Sequence, residues 1–557
     1  MRVLYASFLI LLLAGAAGAA SPPVPTFARD VAPLIYQNCS PCHRPGEAAP
    51  FSLLTYRDVK RRARQIASVT ESRYMPPWLP EAGYAEFADT RTLTRDQIKL
   101  IVEWVRAGAP EGNGAETPPV PAFPTGWQLG KPDLILTAPK PFEVPAAGPD
   151  VFWNFIYTPD VKVSRYVRAV EIRPGDAAAV HHANLLVDPS GSSRRREAEP
   201  GAGFPGMEVA LERTSFDFDS HFLFWKPGSV PYSEPDGLAW TLRPGASLVL
   251  NTHLQPSGKP RMVQPSVGLY FTDHPPDKFP LLMQLEHDGA LDIPAGARDF
   301  TVADDFRMPL DADALAVYPH AHYLGKLLEA YATLPDGRRV WLIRIPDWNL
   351  AWQAVYRYRK PIFLPRGTVV SMRYHYDNSA ANPRNPNHPP KRVRAGNQAA
   401  DEMGHLWLQV LPRGRGDHRM ALEEALLEHR LGKYPGDYWA SLKLGAVRLA
   451  RLDAPGALPY LEAAVRAEPD QPEAHNLFGA ALRRVGRARD AIQQFETALR
   501  LRPDYQNARF NLANALAESG KLPEAIAEYR HILAIFPNDT NVQLQLDRAL
   551  QRLKSPP

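Results

Sequence analysis

Apolar positions change their period along this chain, and each change marks a different kind of element. Between about residues 26 and 112 they recur at helical spacing. Phe27, Val31, Leu34 and Ile35 share one face, and Ile98, Ile101, Trp104 and Val105 form another that stops before Gly108. Thr94 followed by Gln97 predicts a capping box at the start of the later helix. Residues 113–131 are rich in Gly and Pro and read as a linker. From about 132 to 412 the period falls to two, as in Tyr166-Val-Arg-Ala-Val-Glu-Ile, Ser247-Leu-Val-Leu-Asn-Thr-His and Thr368-Val-Val-Ser-Met-Arg-Tyr. Such runs, parted by Pro, Gly and Asp turns, predict antiparallel β-sandwiches. The length allows two in tandem, over 132–285 and 286–412.

The last block, 420–557, repeats itself. Pro435, Pro469, Pro503 and Pro537 stand 34 residues apart, with Ala440/Ala474/Ala508, Ala457/Ala491/Ala525 and Leu461/Phe495/Tyr529 in register. This period and pattern resemble tetratricopeptide repeats, with three full copies over about 438–537 and a polar closing helix after Asp539. The resemblance implies an α-solenoid whose concave groove takes a protein partner.

Composition narrows the reading. A chain of 557 residues predicts three or four domains. Its 64 basic residues are nearly balanced by 60 acidic ones, a net charge of +4, which does not suggest nucleic acid as a partner. Residues 1–20 carry Arg2, an apolar run from Val3 to Leu13 and a small-residue end at Ala17-Gly18-Ala19-Ala20, the layout of a cleaved secretory signal. The rival reading is an uncleaved anchor, because Val3 to Ala20 almost spans a bilayer. No later segment is apolar enough to cross a membrane, so the expectation is a periplasmic or secreted protein without an integral span once the signal is removed. Two cysteines occur, Cys39 and Cys42, and no structural disulfide is left to propose.

Those cysteines sit in Cys39-Ser-Pro-Cys42-His43, the pattern of covalent c-type haem attachment. A zinc half-site lacks a second cysteine pair, and a thioredoxin-like couple lacks the surrounding βαβ pattern. His43 is expected as one axial ligand. Met75, in Arg-Tyr-Met-Pro-Pro-Trp and the lone methionine of its block, is expected as the other. A Met/His-ligated haem has a raised potential and suits electron transfer. The block, 26–112, resembles a small class I cytochrome c, which implies an electron donor as a partner.

Five further histidines and a methionine read as two three-ligand copper sites. His320 and His322 stand at i, i+2 and would share one face of a strand, so both reach a single ion. His181 and His182 are neighbours, and both reach one ion only at a strand end or by using different ring nitrogens. His253, from another strand, would complete that site. Met403 is a soft thioether donor that selects Cu(I). Met372 is its rival but lies in an alternating run that predicts a packed core residue. His375 and His405 are expected beside the ligands or in the substrate cleft.

On His181-His182, His253, His320-Ala-His-Tyr-Leu-Gly-Lys326 and Asp401-Glu402-Met403, residues 145–412 resemble the copper type II, ascorbate-dependent monooxygenases. That family includes the peptidylglycine and dopamine β-monooxygenases. The resemblance implies two jelly-roll-like sandwiches facing each other across a cleft. It also implies an electron-transfer copper on His181, His182 and His253, and an O2-binding copper on His320, His322 and Met403. The whole chain then reads as an all-α cytochrome c, two all-β sandwiches and an α-solenoid, carrying two copper ions and one covalently bound haem c. The implied reaction inserts one oxygen atom of O2 into a C–H bond of a small organic substrate, with the haem as an alternative to ascorbate as electron source. Departures from the family concern the substrate. Tyr318 stands where the peptide-amidating enzymes use an arginine, and His405 and Trp407 stand where they use asparagine and tyrosine, so peptide amidation is not expected. An aromatic-lined pocket would suit an apolar or aromatic substrate. The competing readings are a haem/copper electron-transfer or scaffold protein without oxygenase turnover, and a copper store.

Overall fold

The computed structural model describes residues 24–47, 49–123, 126–207, 220–398 and 400–554; the expected export signal over 1–20 lies outside the described residues. The chain divides into two compact units. One takes the residues up to Trp78 together with Arg91–Phe123, and the other takes Leu79–Thr90 and everything from Pro124 onward.

The first unit is helical. Its helices run over Ala32–Asn38, Tyr56–Arg61, Ala63–Glu71 and Arg95–Arg106, around a core of Phe27, Ile35, Val59, Ile101 and Trp104. The Thr94 hydroxyl accepts from Gln97 N–H while the Gln97 side chain caps Thr94 N–H, so the expected capping box forms. Thr55 and Asp58 make a second one. Trp104 is fully buried and its indole N–H donates to Pro110 O at 3.0 Å. This satisfies the one polar atom that burial of a tryptophan would otherwise leave unpaired.

The second unit begins with a β region of antiparallel sheets. A four-stranded sheet orders Leu134–Thr137, Ser266–Thr272, Arg165–Arg173 and Trp240–Leu242. A five-stranded sheet orders Phe204–Pro205, Val151–Tyr157, Ser247–Leu254, Val180–Asp188 and Phe224–Trp225. Inward residues of both sheets, among them Val167 and Leu269 from one and Phe155, Leu185 and Leu250 from the other, close a single core. Alternation puts every second side chain inward, which is why the period-two runs were legible as strands.

Two more four-stranded sheets follow. One orders Leu281–Glu286, Gly404–Pro412, Ala312–Ala321 and Tyr356–Leu364. The other orders Phe300–Arg307, Val369–Tyr376, Gly325–Thr333 and Arg339–Ile345. Tyr356–Leu364 is an edge, and Leu79–Thr90 cover it. Ala88 N–H donates to Arg357 O at 2.8 Å, Arg359 N–H donates to Glu86 O at 2.9 Å, and Phe87 stacks on Tyr358. Glu81 pairs with Arg344 of the second sheet. Backbone pairing along an otherwise open edge explains why these twelve residues leave the helical unit in which their neighbours lie.

From Arg419 to Lys554 the chain is a series of antiparallel helices, Arg419–Lys433, Tyr438–Ala450, Ala454–Ala467, Pro472–Arg484, Ala488–Leu501, Gln506–Glu518, Leu522–Ile535 and Thr540–Lys554. The 34-residue period has a packing cause. A side chain at Gly445 would meet Leu461, and one at Gly479 would meet Phe495 at 2.7 Å, so each pair sets a small residue against a large one. The first of these helices is tied to the β region by ion pairs. Arg430 donates to Glu286 at 2.8 Å and Lys433 to Asp304 at 2.7 Å, both carboxylates being buried. Among the described residues, no helix is long and apolar enough to cross a membrane.

Candidate metal and haem sites

In the first unit, Cys39 closes the Ala32–Asn38 helix and the following turn brings Cys42 and His43 back toward it, with Cys42 and His43 N–H both donating to Cys39 O. Burial, reinforced by Cys42, pushes the Cys39 thiol up to about 12. His43 Nδ1 lies 3.2 Å from Phe51 O, and the two rings meet tilted with centroids 4.6 Å apart. With Nδ1–H given to a carbonyl, Nε2 is the free lone pair that an axial ligand needs. Burial also lowers the His43 pKa, which keeps the imidazole neutral. Met75 follows the Ala63–Glu71 helix, its N–H held by Val69 O at 3.0 Å.

In the second unit, His181, His182 and His253 come together, their ligand atoms lying within 4.8 Å of one another. The local cause is a bulge. Val180 pairs with Leu254 and His182 with His253, so the register slips at His181 and both neighbouring imidazoles turn to the same side. His181 Nδ1 and His182 Nδ1 stand 3.1 Å apart. At metal–nitrogen distances of about 2 Å, two nitrogens so placed are close enough to share an ion. His253 is held from behind, where its Nε2 meets Asp150 Oδ2 at 2.6 Å and Phe152 stacks on it at 4.6 Å. Burial lowers His181 to about 4 and His182 well below its ordinary value. Both are therefore neutral, as metal ligation requires.

His320 and His322 leave the Ala312–Ala321 strand with ring centroids 5.3 Å apart. His320 Nδ1 lies 2.8 Å from Gln353 Oε1, and His322 Nδ1 lies 3.1 Å from Asp401 O. The Nδ1–H of His320 is thus donated outward, which leaves its Nε2 as the free lone pair. Burial lowers His320 to about 3 and lowers His322 as well. Met403 begins the return: its N–H donates to Glu402 Oε1 at 2.8 Å, and its carbonyl accepts from Tyr376 OH at 2.9 Å. Burial pushes the Glu402 carboxyl up to about 8, against the pull of the backbone N–H groups around it.

Both sets open on one cleft of about 1510 Å³, in which the three histidines of the first β region and His320, His322 and Met403 of the second are lining residues. Between them lie rings. Phe224 sits 5.7 Å from His182 and 5.5 Å from Tyr318, and Tyr318 stacks 6.2 Å from His320 and lies tilted 5.5 Å from Trp407. Tyr318 OH donates to the same Gln353 oxygen that accepts from His320. His405 also lines the cleft, paired with Asp288 at 3.0 Å. Met372 is buried among the strands, and His375 bonds to Asp299 and Thr301 outside the cleft. Sequence reasoning missed Asp150, Gln353 and Asp288. Nothing near them in the chain signals a role, because each meets its histidine from a distant segment.

The outward partners make a testable claim. Asp150→Asn removes the charged acceptor that orients His253, and such losses lower metal affinity by about 10–100-fold. Chelator competition followed by EPR is expected to show that fall at the tri-histidine site and none at the other. An unchanged affinity would mean that Asp150 does not orient His253.

Comparison with known proteins bears on the C-terminal region. A tetratricopeptide-repeat family matches residues 476–540. Among solved structures the chain is similar to MamA, at 20% identity over 24% of this chain and 80% of that one, with a TM-score of 0.23. It is similar to YrrB, a TPR protein with an unusual peptide-binding site, at 18% identity over 24% of this chain and 70% of that one, TM-score 0.23. It is also similar to the first TPR of Spaghetti bound to an HSP90 peptide, at 21% identity over 21% of this chain and 96% of that one, TM-score 0.21. No curated protein matches the chain. The chain is thus a short helical region, a large region of antiparallel sheets and a C-terminal region of tetratricopeptide repeats, a repeat class that serves protein binding.

Proposed function

We propose that this chain is an exported copper-dependent monooxygenase that hydroxylates a C–H bond of a small organic molecule with O2, with electrons delivered through a c-type haem held by its helical unit. The observation that carries the reading is the opening of two unlike donor sets, one of three imidazoles and one of two imidazoles with a nearby thioether, on a single cleft. In this reading the two β regions are jelly-roll-like sandwiches. His181, His182 and His253 would hold one copper, and His320, His322 and Met403 the other. Cys39, Cys42, His43 and Met75 would hold the haem. Bound copper would supply the one-electron chemistry by which O2 is activated and the second electron delivered.

The protein's own part is orientation and exclusion of water. Asp150 and Gln353 fix which nitrogen His253 and His320 present. Phe222, Phe224, Tyr318 and Trp407 give the cleft an aromatic wall that favours an apolar or aromatic substrate. Tyr318, held by Gln353, offers no charge to clamp a substrate carboxylate, which supports a substrate other than a peptide terminus. The tetratricopeptide repeats would dock a protein partner.

The test uses the purified exported protein. Metal analysis with EPR should find two coppers and one low-spin haem per chain. Oxygen uptake by the copper-loaded, ascorbate-reduced protein should rise with small aromatic hydrocarbons and yield a hydroxylated product carrying one atom from O2. Absence of copper would overturn the reading. Copper and haem that exchange electrons without product would replace it with the electron-transfer reading.

A further inference from the structure

His405 stands on the Gly404–Pro412 strand, across from Glu286 on one side and from His320 on the other. It lines the cleft with its ring 5.1 Å from that of Trp407 and 6.3 Å from that of His320. Its Nε2 meets both oxygens of Asp288, at 3.0 and 3.1 Å. A carboxylate accepts, so this nitrogen carries the proton and the ring turns with Asp288.

Asp288 opens a single turn, Asp288–Ala290, whose first N–H groups are satisfied from outside it. Asp288 N–H donates to Glu286 Oε2 at 2.9 Å, and Gly289 N–H donates to the Tyr434 hydroxyl at 3.0 Å. The same hydroxyl donates to Glu286 Oε2 at 2.9 Å. One phenol thus closes a circuit of three hydrogen bonds around the turn.

Tyr434 lies 145 residues beyond Gly289, at the end of the Arg419–Lys433 helix. That helix is itself secured. Arg430 donates to Glu286 Oε1 at 2.8 Å, Lys433 donates to Glu286 O, and the Arg430 guanidinium sits 5.1 Å from the Tyr434 ring centre. Position 289 also has to be glycine, because a Cβ there would come within 2.9 Å of the Tyr434 ring. Close approach of the ring to the bare backbone is what lets the hydroxyl reach the turn.

We infer that Tyr434 is a positioning residue for His405, acting through Asp288, so that the C-terminal helical region is a part of the cleft as well as a platform for a protein partner. The Arg430–Glu286 ion pair would suffice to dock the helix. Tyr434 adds bonds to the turn that carries Asp288, and those bear on the cleft. A molecule lying against Trp407 then meets an imidazole whose direction is set from the helical region. The inference goes beyond the copper reading and does not need it, since every contact in it is made by the chain itself.

The experiment is proton NMR at neutral pH on the full-length protein as purified, kept under ascorbate so that any copper or haem is diamagnetic. It reads solvent exchange of the His405 Nε2–H, the resonance that His405→Gln removes. Tyr434→Phe deletes the hydroxyl alone and is expected to speed this exchange by about tenfold, the order that one lost hydrogen bond gives. Gly289→Ala pushes the ring off the turn with the hydroxyl still present. It should do the same, and it answers alone if Tyr434→Phe does not fold. His429→Phe removes a different bond of the same helix, from Nε2 to Asp304 at 2.7 Å, and should leave the exchange rate in place. A rate unmoved by Tyr434→Phe or by Gly289→Ala overturns the inference. So does an equal rise in His429→Phe, which would make the helix a general brace. Purified protein without copper overturns the copper reading, and the exchange result stands apart from it.

Discussion

Replacing Met403 by alanine is expected to reduce O2-dependent product formation by at least about a hundredfold, since loss of even an outer partner of a metal ligand costs 10–100-fold and a ligand costs more. The argument is one of chemistry and local anchoring. Thioether sulfur is the one soft donor in the second candidate set, and without it two imidazoles hold Cu(I) poorly. The backbone at 403 is secured independently of the side chain, by Glu402 Oε1 at its N–H and by Tyr376 OH at its carbonyl, so truncation leaves the strand in place. The tri-histidine EPR signal and the haem spectrum should therefore be unchanged while O2 uptake disappears. Met403→His, which supplies a harder donor at the same place, should retain copper but shift its spectrum. A Met403→Ala protein that keeps half its turnover would remove this residue from the site.

Converting Cys39 and Cys42 together to serine should abolish covalent haem, so that acid–acetone extraction leaves no chromophore on the chain, whereas each single change leaves one thioether bond. The donors His181, His182, His253, His320, His322 and Met403 all belong to the other compact unit, so copper content should not change. Electron supply then divides the outcomes. If the haem feeds the coppers, turnover driven by a haem reductant falls to background while ascorbate-driven turnover persists. Equal losses with both donors would mean that the helical unit acts otherwise. Wild-type protein in which the cysteines hold zinc would overturn the haem assignment at its root.

Some features of the fold were legible because they are local. The capping box at Thr94 needs only residues three apart. The 34-residue period records one contact made again and again, a small residue such as Gly479 against a large one such as Phe495. The apolar run along Ser247–Leu254 records a strand covered on both faces. Other features had no local signal. The departure of Leu79–Thr90 from its helical surroundings depends on an open strand edge more than 250 residues later. The convergence of His181 and His182 depends on a register slip against His253, and ordinary alternation would have sent the two to opposite faces.

The residue types at the candidate centres were thus set by the chain alone: imidazoles, a thioether and a CxxCH turn, together with the helical repeat that closes the molecule. Which nitrogen each imidazole presents was decided only by folding. Asp150, Gln353, the Asp401 carbonyl and Phe51 lie 8 to 103 residues from the histidines they hold. A hydrogen bond is satisfied by whatever the fold brings within 3 Å or so, and spacing along the chain carries no record of it.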